Sequence, residues 1–303
     1  MKGTSAVRYG VALVLSATGL VSCTGEPQQP SPPVSTSCRS DLKPSGQPVP
    51  AEGMPGWVLR FTDDFDRCEL GAYWGDYSGQ PGGNPYSDWD PAMVQVTGGV
   101  LELRAEQSDD GWVTGGVSNH PIAQQYGRWE VRMRAEQSAD ISYHMLLWPK
   151  DEVWPPEIDF AESVSATRSK MSAFLHWVDA AGQNAKDTAG IAGDFTQWHT
   201  VGVEWGPNII RYLLDGQVWA EAHSEVMVPD VPMWLGMQAE AGACERRRDW
   251  GMPLCSDTDD FRPQATAVLI DWVAVYTPDM VALADMQAAG MFNPQLDAAQ
   301  LSE

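Results

Sequence analysis

The sequence predicts an all-β fold, a sandwich or barrel of short strands. Apolar and polar residues alternate with a period of two in several segments, which is typical of half-buried strands. Gly, Pro, Asn and Asp separate these segments, and no repeat with a period of roughly 20–50 residues indicates a propeller or solenoid. After the N-terminal lead, the chain is long enough to build one β-sandwich domain, which we place at residues 51–278.

The predicted strands follow one another in a regular order. Residues 94–96 and 100–104 flank the pair Gly98-Gly99, and residues 128–134 alternate charged and apolar side chains over seven positions. The segments at 200–205 and 209–214 flank a Gly-Pro-Asn turn, and a late strand covers residues 268–276. Helix-forming residues follow Pro278, so residues 279–303 are predicted to be a C-terminal tail with a short helix.

The N-terminus predicts export. Two basic residues, an apolar run over residues 9–21 and the small residue Ser22 are typical of a signal peptide at 1–22, and the run is too short for a permanent membrane helix. Residues 20–23 resemble a bacterial lipobox, in which the Cys (here Cys23) becomes lipidated; an ordinary signal with an incidental Cys is the alternative. We expect the protein to be extracellular or lipid-anchored to the outer face of the cell membrane.

The cysteines and the N-terminal segment after the signal peptide fit a location outside the cell. Residues 23–50 are rich in Pro, Ser and Gln and are predicted to form a semi-extended tether. Without Cys23, four cysteines remain, and an even number in an exported chain favours two disulfides. We expect the pairs Cys244–Cys255 and Cys38–Cys68, with other pairings open.

The charge and the tryptophans point to a class of partner. A net charge of −22 argues against nucleic acid, because phosphates require a basic surface. Solubility explains most of this acidity, but an acidic exported domain with 14 tryptophans suits sugar binding, in which flat rings stack on pyranose faces. We therefore expect a monomer with a polysaccharide partner, no required cofactor and no nucleic acid.

The segment EIDFAE at residues 157–162 carries the candidate chemistry. Along a strand Glu157 and Asp159 share one face, while the apolar residues between them point into the sandwich. Glu162 has the wrong parity, but a one-residue bulge near Phe160-Ala161 would return it to the face of the other two acids. Three acids so close together would repel each other, which favours a catalytic use over a structural one.

Paired carboxyl groups suit the cleavage of glycosidic bonds. A separation of about 5–5.5 Å gives the retaining double displacement, whereas about 6.5–9.5 Å leaves room for water and inversion. One carboxylate attacks the anomeric carbon, and the other carries a proton that a neighbouring charge helps it to hold. The alternatives are a solvated polar strand face or a calcium site, for which the intervening Ile158 and Phe160 are a poor fit.

EIDFAE resembles the E-x-D-x-x-E signature of glycoside hydrolase family 16, the laminarinase and lichenase group, in its bulged, laminarinase-like form. FTDDFD, YGRWEVRMR, HTVGVEWGPNIIRYLLDGQVW and IDWVAVY resemble other elements of the family in the family's order, from about Phe61 to Tyr276. The resemblance implies a concanavalin-like β-jelly roll of two curved antiparallel sheets. It also implies that Glu157 is the nucleophile, Glu162 the general acid/base and Asp159 an auxiliary acid.

The resemblance extends to five further residues. It implies that Trp154 stacks on sugar, that Glu130 and Arg132 line the cleft, and that His176 lies near the cleavage point. For Glu130 and Arg132 the alternative is an ordinary cross-strand ion pair, and a lone His is often structural. Asp271 matches the position of a structural calcium found in many members, with a capping or paired Asp as the alternative.

Two segments depart from the family pattern. Residues 233–242 replace the N-x-A-x-G-G segment of laminarinases, which leaves the linkage open, and Gln238 and Glu240 share a parity that can face the cleft. Trp148 is assigned to the core.

The basic segment 244–250 has two interpretations. It either bounds the cleft and meets an acidic or substituted glycan, or it is a solvated loop balanced by nearby acids.

We therefore expect a retaining, endo-acting glycosidase of β-1,3- or β-1,3-1,4-glucan or a related galactan. Three alternatives remain from the sequence. A cell-wall transglycosylase would use the same carboxylates. A non-catalytic carbohydrate-binding jelly roll or an adhesion lipoprotein would not need both glutamates.

Overall fold

The computed structural model describes residues 43–249, 255 and 261–289. Within these residues the chain folds into two packed sheets, which confirms the predicted jelly-roll sandwich. The strands are β1 (Trp57–Asp63), β2 (Gly75–Asp76), β3 (Ser87–Trp89), β4 (Val94–Thr97), β5 (Val100–Ser108), β6 (Gly111–Thr114), β7 (Gly116–Ser118), β8 (Gly127–Ala135), β9 (Ile141–Pro149), β10 (Glu157–Ser163), β11 (Lys170–Val178), β12 (Asn184–Ala192), β13 (His199–Gly206), β14 (Ile209–Leu214), β15 (Gln217–His223), β16 (Met233–Ala241) and β17 (Ala265–Pro278). The helices are α1 (Ala243–Asp249) and α2 (Met280–Ala289), and short 3-10 turns cover Pro91–Met93 and His120–Ile122.

The two sheets differ in size. The larger has ten strands in the order β15-β14-β13-β8-β17-β5-β6-β3, with β1 added on β17 and β4 added on β5. The smaller has seven strands in the order β12-β11-β10-β9-β16-β7-β2. Neighbours are antiparallel except β3 and β6. The segments predicted as strands correspond to β4, β5, β8, β13, β14 and β17.

The core lies between the sheets. From the larger sheet, Trp129 and Val131 of β8 point into it, and from the smaller sheet Ile158 and Phe160 of β10 do the same; all four side chains are at most 1% exposed. Each buried side chain of this kind contributes about 1.5–3 kcal/mol to folding. Because Ile158 and Phe160 face inward, the acids that alternate with them face away from the core.

Part of the other face of the larger sheet is also covered. Trp57, Trp272 and Tyr276 form a second apolar cluster there, and Met286 of α2 is buried against it. Gly206 permits this contact, because a Cβ atom at that position would lie 2.6 Å from the Met286 sulfur.

Two of the predicted cleft residues lie on this covered face. Glu130 and Arg132 alternate with the core residues of β8, so they share a face of the strand, as expected. That face belongs to the larger sheet, whereas the cleft lies on the smaller one. Glu130 accepts a hydrogen bond from Arg128 at 2.6 Å and Arg132 lies 3.6 Å from Asp215. The prediction that Glu130 and Arg132 bind substrate was therefore wrong. Both form ion pairs away from the cleft, Glu130 with a residue of its own strand and not across strands.

The structure describes part of the predicted disulfide pairing. Cys244 and Cys255 form a disulfide with their Cα atoms 5.3 Å apart, as expected. Cys68 is disulfide-bonded, but Cys38 and Cys23 lie outside the described residues, as do the signal peptide and most of the tether. In the described part of the chain, no helix is both long and apolar enough to cross a membrane.

Candidate active site

A cleft of about 670 Å³ crosses the face of the smaller sheet that points away from the core. Strands β9, β10, β11 and β16 form its floor. Its charged or titratable lining residues are His144, Glu152, Glu157, Asp159, Glu162, His176, Lys186, Glu240 and Arg246, and its aromatic lining residues are Tyr77, Trp89, Trp148, Trp154, Phe174 and Trp234.

A bulge in β10 brings the three acids of EIDFAE to the cleft. Asp159 pairs with Leu146 of β9, but Ala161 pairs with Met145, so two residues of β10 oppose one step of β9. The extra residue points Phe160 and Ala161 both into the core and returns Glu162 to the face of Glu157 and Asp159. The bulge predicted at Phe160-Ala161 is thus confirmed.

Glu157 lies at the start of β10, under an indole. The Nε1–H of Trp154 donates to Oε2 of Glu157 at 2.7 Å, and the Trp154 side chain is 41% exposed at the cleft. Burial raises the pKa of Glu157 well above its usual range, and the charge of Asp159 raises it further. Trp154 therefore lines the cleft with its indole beside a carboxylate oxygen of Glu157, and its stacking on sugar stays a prediction.

Asp159, between the two glutamates, is the most deeply buried of the three acids, at 1% exposed. Burial, and then the charge of Glu162, raise its pKa well above the usual range. Its Oδ1 has no donor, whereas Oδ2 lies 3.3 Å from Nε2 of His176. Protonation of Asp159 would remove the charge between the two glutamates.

Glu162 has a different environment. Burial raises its pKa, but the charge of His144, whose Nδ1 contacts Oε1 of Glu162, and then Arg246 more than offset this effect and lower the pKa below its usual value. The site without sugar thus holds Glu162 ionised more readily than Glu157. A general acid is expected to have the higher pKa of a pair. The roles of Glu157 and Glu162 implied by the resemblance stay predictions.

Indole groups on one side of the cleft are fixed by a single carboxylate. Nε1 of Trp148 donates to Glu152 at 3.0 Å, and Nε1 of Trp234 points at its other oxygen at 3.3 Å. Tyr77 packs beside Trp234 with ring centroids 6.4 Å apart. The assignment of Trp148 to the core was wrong, because its indole lines the cleft. Such exposed rings provide faces for sugar rings.

The basic segment is anchored to the cleft by its first arginine. Arg246 of α1 donates to Glu240, and Glu240 also accepts from Gln238 at 2.7 Å. Both Gln238 and Glu240 line the cleft, as their parity predicted. Arg247 donates to the backbone oxygen of Val164 at 3.1 Å. These contacts make the segment a wall of the cleft, with the Arg246 charge balanced by Glu240.

Metal ligation was predicted only for Asp271. Its carboxylate is buried and accepts hydrogen bonds from the backbone N–H and the hydroxyl of Ser45, which is the paired-Asp alternative; calcium there stays a prediction. Among the described residues, one group of three ligand-type side chains has atoms within 4.8 Å of one another, and it is Glu157, Asp159 and His176.

Sequence reasoning missed several cleft residues. Glu152, Tyr77 and Trp234 reach the cleft from loops and strands distant in sequence, and no local pattern marks them. His144 was detectable, since no other side chain of strand β9, ISYHMLLWP, can carry a charge near neutral pH. Its partner Glu162 belongs to the next strand.

Comparison with known proteins agrees with the fold and identifies a family. The model of the family described as Glycosyl hydrolases family 16 matches residues 84–272. Endo-1,3-1,4-beta-glycanase EglC of Rhizobium meliloti is 26% identical over 156 residues, which are 50% of this chain and 33% of that protein. ExsH, an endo-1,3-1,4-beta-glycanase of the same organism, is 23% identical over 200 residues, 65% and 40% of the two chains. The chain thus spans less than half the length of either relative.

The solved structures extend the comparison of the fold. The endo-beta-1,3-glucanase from Pyrococcus furiosus superimposes with a TM-score of 0.62 at 19% identity, covering 76% of this chain and 98% of that one. At this identity the match supports the fold alone, and it agrees with the two-sheet sandwich described above.

Proposed function

Since the chain belongs to the glycosyl hydrolases of family 16, we propose that it is an endo-acting, retaining glycoside hydrolase that cuts β-linked polysaccharide. One observation carries the proposal: a bulged strand presents Glu157, Asp159 and Glu162 together on the floor of an open cleft lined by aromatic rings. An open groove admits the middle of a long chain, which favours endo action.

The proposed reaction has two steps. In the first, the Glu157 carboxylate attacks the anomeric carbon while Glu162 gives its proton to the departing glycosidic oxygen, and a glycosyl ester forms. In the second, Glu162 takes a proton from water, which hydrolyses the ester and frees Glu157. Trp154 stabilises the ionised form of Glu157 by a hydrogen bond. Sugar binding displaces water from Glu162. This desolvation raises the pKa of Glu162, so that the group can hold the proton that it donates.

The cleft favours a neutral glycan. Five of its lining residues are acidic, namely Glu152, Glu157, Asp159, Glu162 and Glu240, against the cations Lys186 and Arg246. Arg246 is already paired with Glu240, so it offers little to an acidic substituent. We rank mixed-linkage β-1,3-1,4-glucan first, because the sequence relatives carry that activity in their names, followed by β-1,3-glucan and galactan.

A glycan panel tests the proposal. Purified protein is incubated with mixed-linkage glucan, laminarin, agar, carrageenan and galactan, and new reducing ends and product sizes are measured. We expect one β-glucan or galactan to give oligosaccharides of several sizes early in the reaction, with no such products from a Glu157→Gln variant that still binds the glycan. Unchanged chain lengths on every glycan would contradict the proposal.

A second arm of the same assay separates hydrolase from transglycosylase. A labelled acceptor oligosaccharide is added, and its mass is followed. Hydrolysis leaves the acceptor unchanged, while transfer lengthens it.

We also propose that the protein acts outside the cell, held by a lipidated Cys23. The proposal is supported by the lipobox-like residues 20–23 and by the Pro-rich segment that follows. Metabolic labelling with a fatty-acid analogue should label the protein, and a Cys23→Ala variant should lose the label. A labelled variant would contradict attachment at Cys23.

A further inference from the structure

A buried imidazole lies directly behind the candidate acid/base. The side chain of His144 is 1% exposed, and both ring nitrogens have partners. Nδ1 contacts Oε1 of Glu162, while Nε2 lies 2.8 Å from Oγ of Ser142 and 3.4 Å from Nη1 of Arg246. A ring held at both nitrogens has a fixed orientation, so it can fix the orientation of the carboxyl group that it contacts.

The partner of Nδ1 determines the proton position on that nitrogen. A carboxylate oxygen only accepts hydrogen bonds, so Nδ1 of His144 carries the proton directed at Oε1 of Glu162. The Ser142 hydroxyl donates to the backbone oxygen of Glu240, so its oxygen can accept from Nε2. We propose that His144 is a positioning residue that donates its Nδ1–H to Oε1 of Glu162, leaving Oε2 to carry the proton for the glycosidic oxygen.

This hydrogen bond has a defined effect on the chemistry. An N–H group bonds a carboxylate more strongly than a carboxylic acid, so it favours the state that Glu162 reaches after giving up its proton. His144 therefore strengthens Glu162 as an acid against the burial that weakens it. The charged and titratable groups facing the pair are Glu157 and Asp159 of β10, His176 of β11, Glu240 of β16 and Arg246 of α1.

The same residue types also form the triad of serine hydrolases, in which the Ser is the nucleophile. Ser142, His144 and Glu162 are connected in that order. However, Ser142 is fully buried, and its Oγ contacts the backbone oxygen of Glu240 at 3.2 Å. An ester substrate cannot reach it, so the arrangement serves the glutamate at its other end.

The inference rests on the proposed function, since it takes Glu162 as the acid/base. The kinetic test compares His144→Leu, which removes the donor, with His144→Asn, whose amide nitrogen lies near the position of Nδ1. Values of kcat/KM are measured against pH on the best glycan of the panel. We expect His144→Leu to lose up to about 100-fold in kcat. Its alkaline limb should move to higher pH, because the pKa of Glu162 rises without the donor, and His144→Asn should restore much of both properties.

A matched control is available in the larger sheet. His199 also contacts a carboxylate through Nδ1, at 2.7 Å from Asp215, but it does not line the cleft. His199→Asn should leave the pH profile unchanged. If His144→Leu keeps the wild-type alkaline limb while the wild type is active, the inference is wrong although the proposed function stands.

An NMR measurement tests the hydrogen-bond geometry without turnover. In protein labelled with 15N-histidine, the His144 signals, assigned by their loss in His144→Asn, should show a protonated Nδ1. An unprotonated Nδ1 would contradict the inference. This result does not depend on activity, so it decides the geometry even if every glycan in the panel fails or the leucine variant does not fold.

Discussion

At the residue scale, the three neighbouring carboxyl groups of Glu157, Asp159 and Glu162 have pKa values that are shifted in different directions. Burial raises the pKa of Glu157 and Asp159, while His144 and Arg246 lower that of Glu162. The sequence predicted the three acids, because they lie within six residues and the cleavage of glycosidic bonds needs a pair of carboxyl groups. It could not predict the order of their pKa values, because that order depends on side chains of β9 and α1.

Asp159 reduces stability near neutral pH. Its pKa in the folded protein is raised by burial, so the unfolded chain loses this proton at a lower pH, about 4, than the folded one. Stability attributable to this group therefore falls as pH rises above about 4. We expect Asp159→Asn to raise Tm at pH 7, by about 2–4 °C for each kcal/mol gained, and to show little effect at pH 3. Equal Tm values at both pH values would contradict this account.

Azide rescue tests the roles of the glutamates. If Glu162 is the acid/base, Glu162→Ala should lose about 10²–10⁴-fold in kcat, and azide should restore turnover of an activated glycoside with a β-glycosyl azide as product. If Glu157 is the nucleophile, Glu157→Ala with azide should give the α-glycosyl azide, because a single displacement inverts the centre. The opposite assignment of products would exchange the two roles.

At the element scale, the sequence predicted the bulge but not the face of β8. Parity alone showed that Glu162 needed one extra residue to join Glu157, and the register of β9 and β10 contains it. Parity also showed that Glu130 and Arg132 share a face, but alternation does not say which face of which sheet is open. The packing of α2 and of the second apolar cluster against the larger sheet covers the face of β8 that carries Glu130 and Arg132.

Deleting Ala161 tests the role of the bulge. The sequence would then read EIDFES, in which regular alternation alone places all three acids on one face. We expect this variant to fold and to retain hydrolysis within about 100-fold of the wild type. Inserting a second Ala after Ala161 is the control, and it should abolish turnover because Glu162 moves out of register. Equal losses in both variants would show that parity is not what positions Glu162.

At the scale of the whole molecule, the two sheets have separate tasks. The larger contributes to the core with one face and carries the second apolar cluster on part of the other, while the smaller leaves one face open for the cleft. The sequence predicted the sandwich and most strands of the larger sheet, because their alternation is regular. The cleft wall was less predictable, since it combines Tyr77, Glu152 and Trp234 from distant parts of the chain.

This division predicts that stability and activity can be changed independently. Met286→Ala removes a buried side chain from the interface between α2 and the larger sheet. We expect it to lower the free energy of unfolding by about 2–5 kcal/mol, measured in urea, with kcat unchanged at 25 °C. A large fall in kcat in the folded variant would show that α2 is coupled to the cleft.

The stereochemistry of the first product tests the central claim most directly, namely that the bulge of β10 places two glutamates close enough for a covalent glycosyl ester. Proton NMR spectra are recorded within minutes of adding enzyme to the glycan that it cuts, before mutarotation equalises the anomers. The account predicts that the β-anomer of the new reducing end appears first. Initial release of the α-anomer would contradict it, because it would mean a single displacement by water.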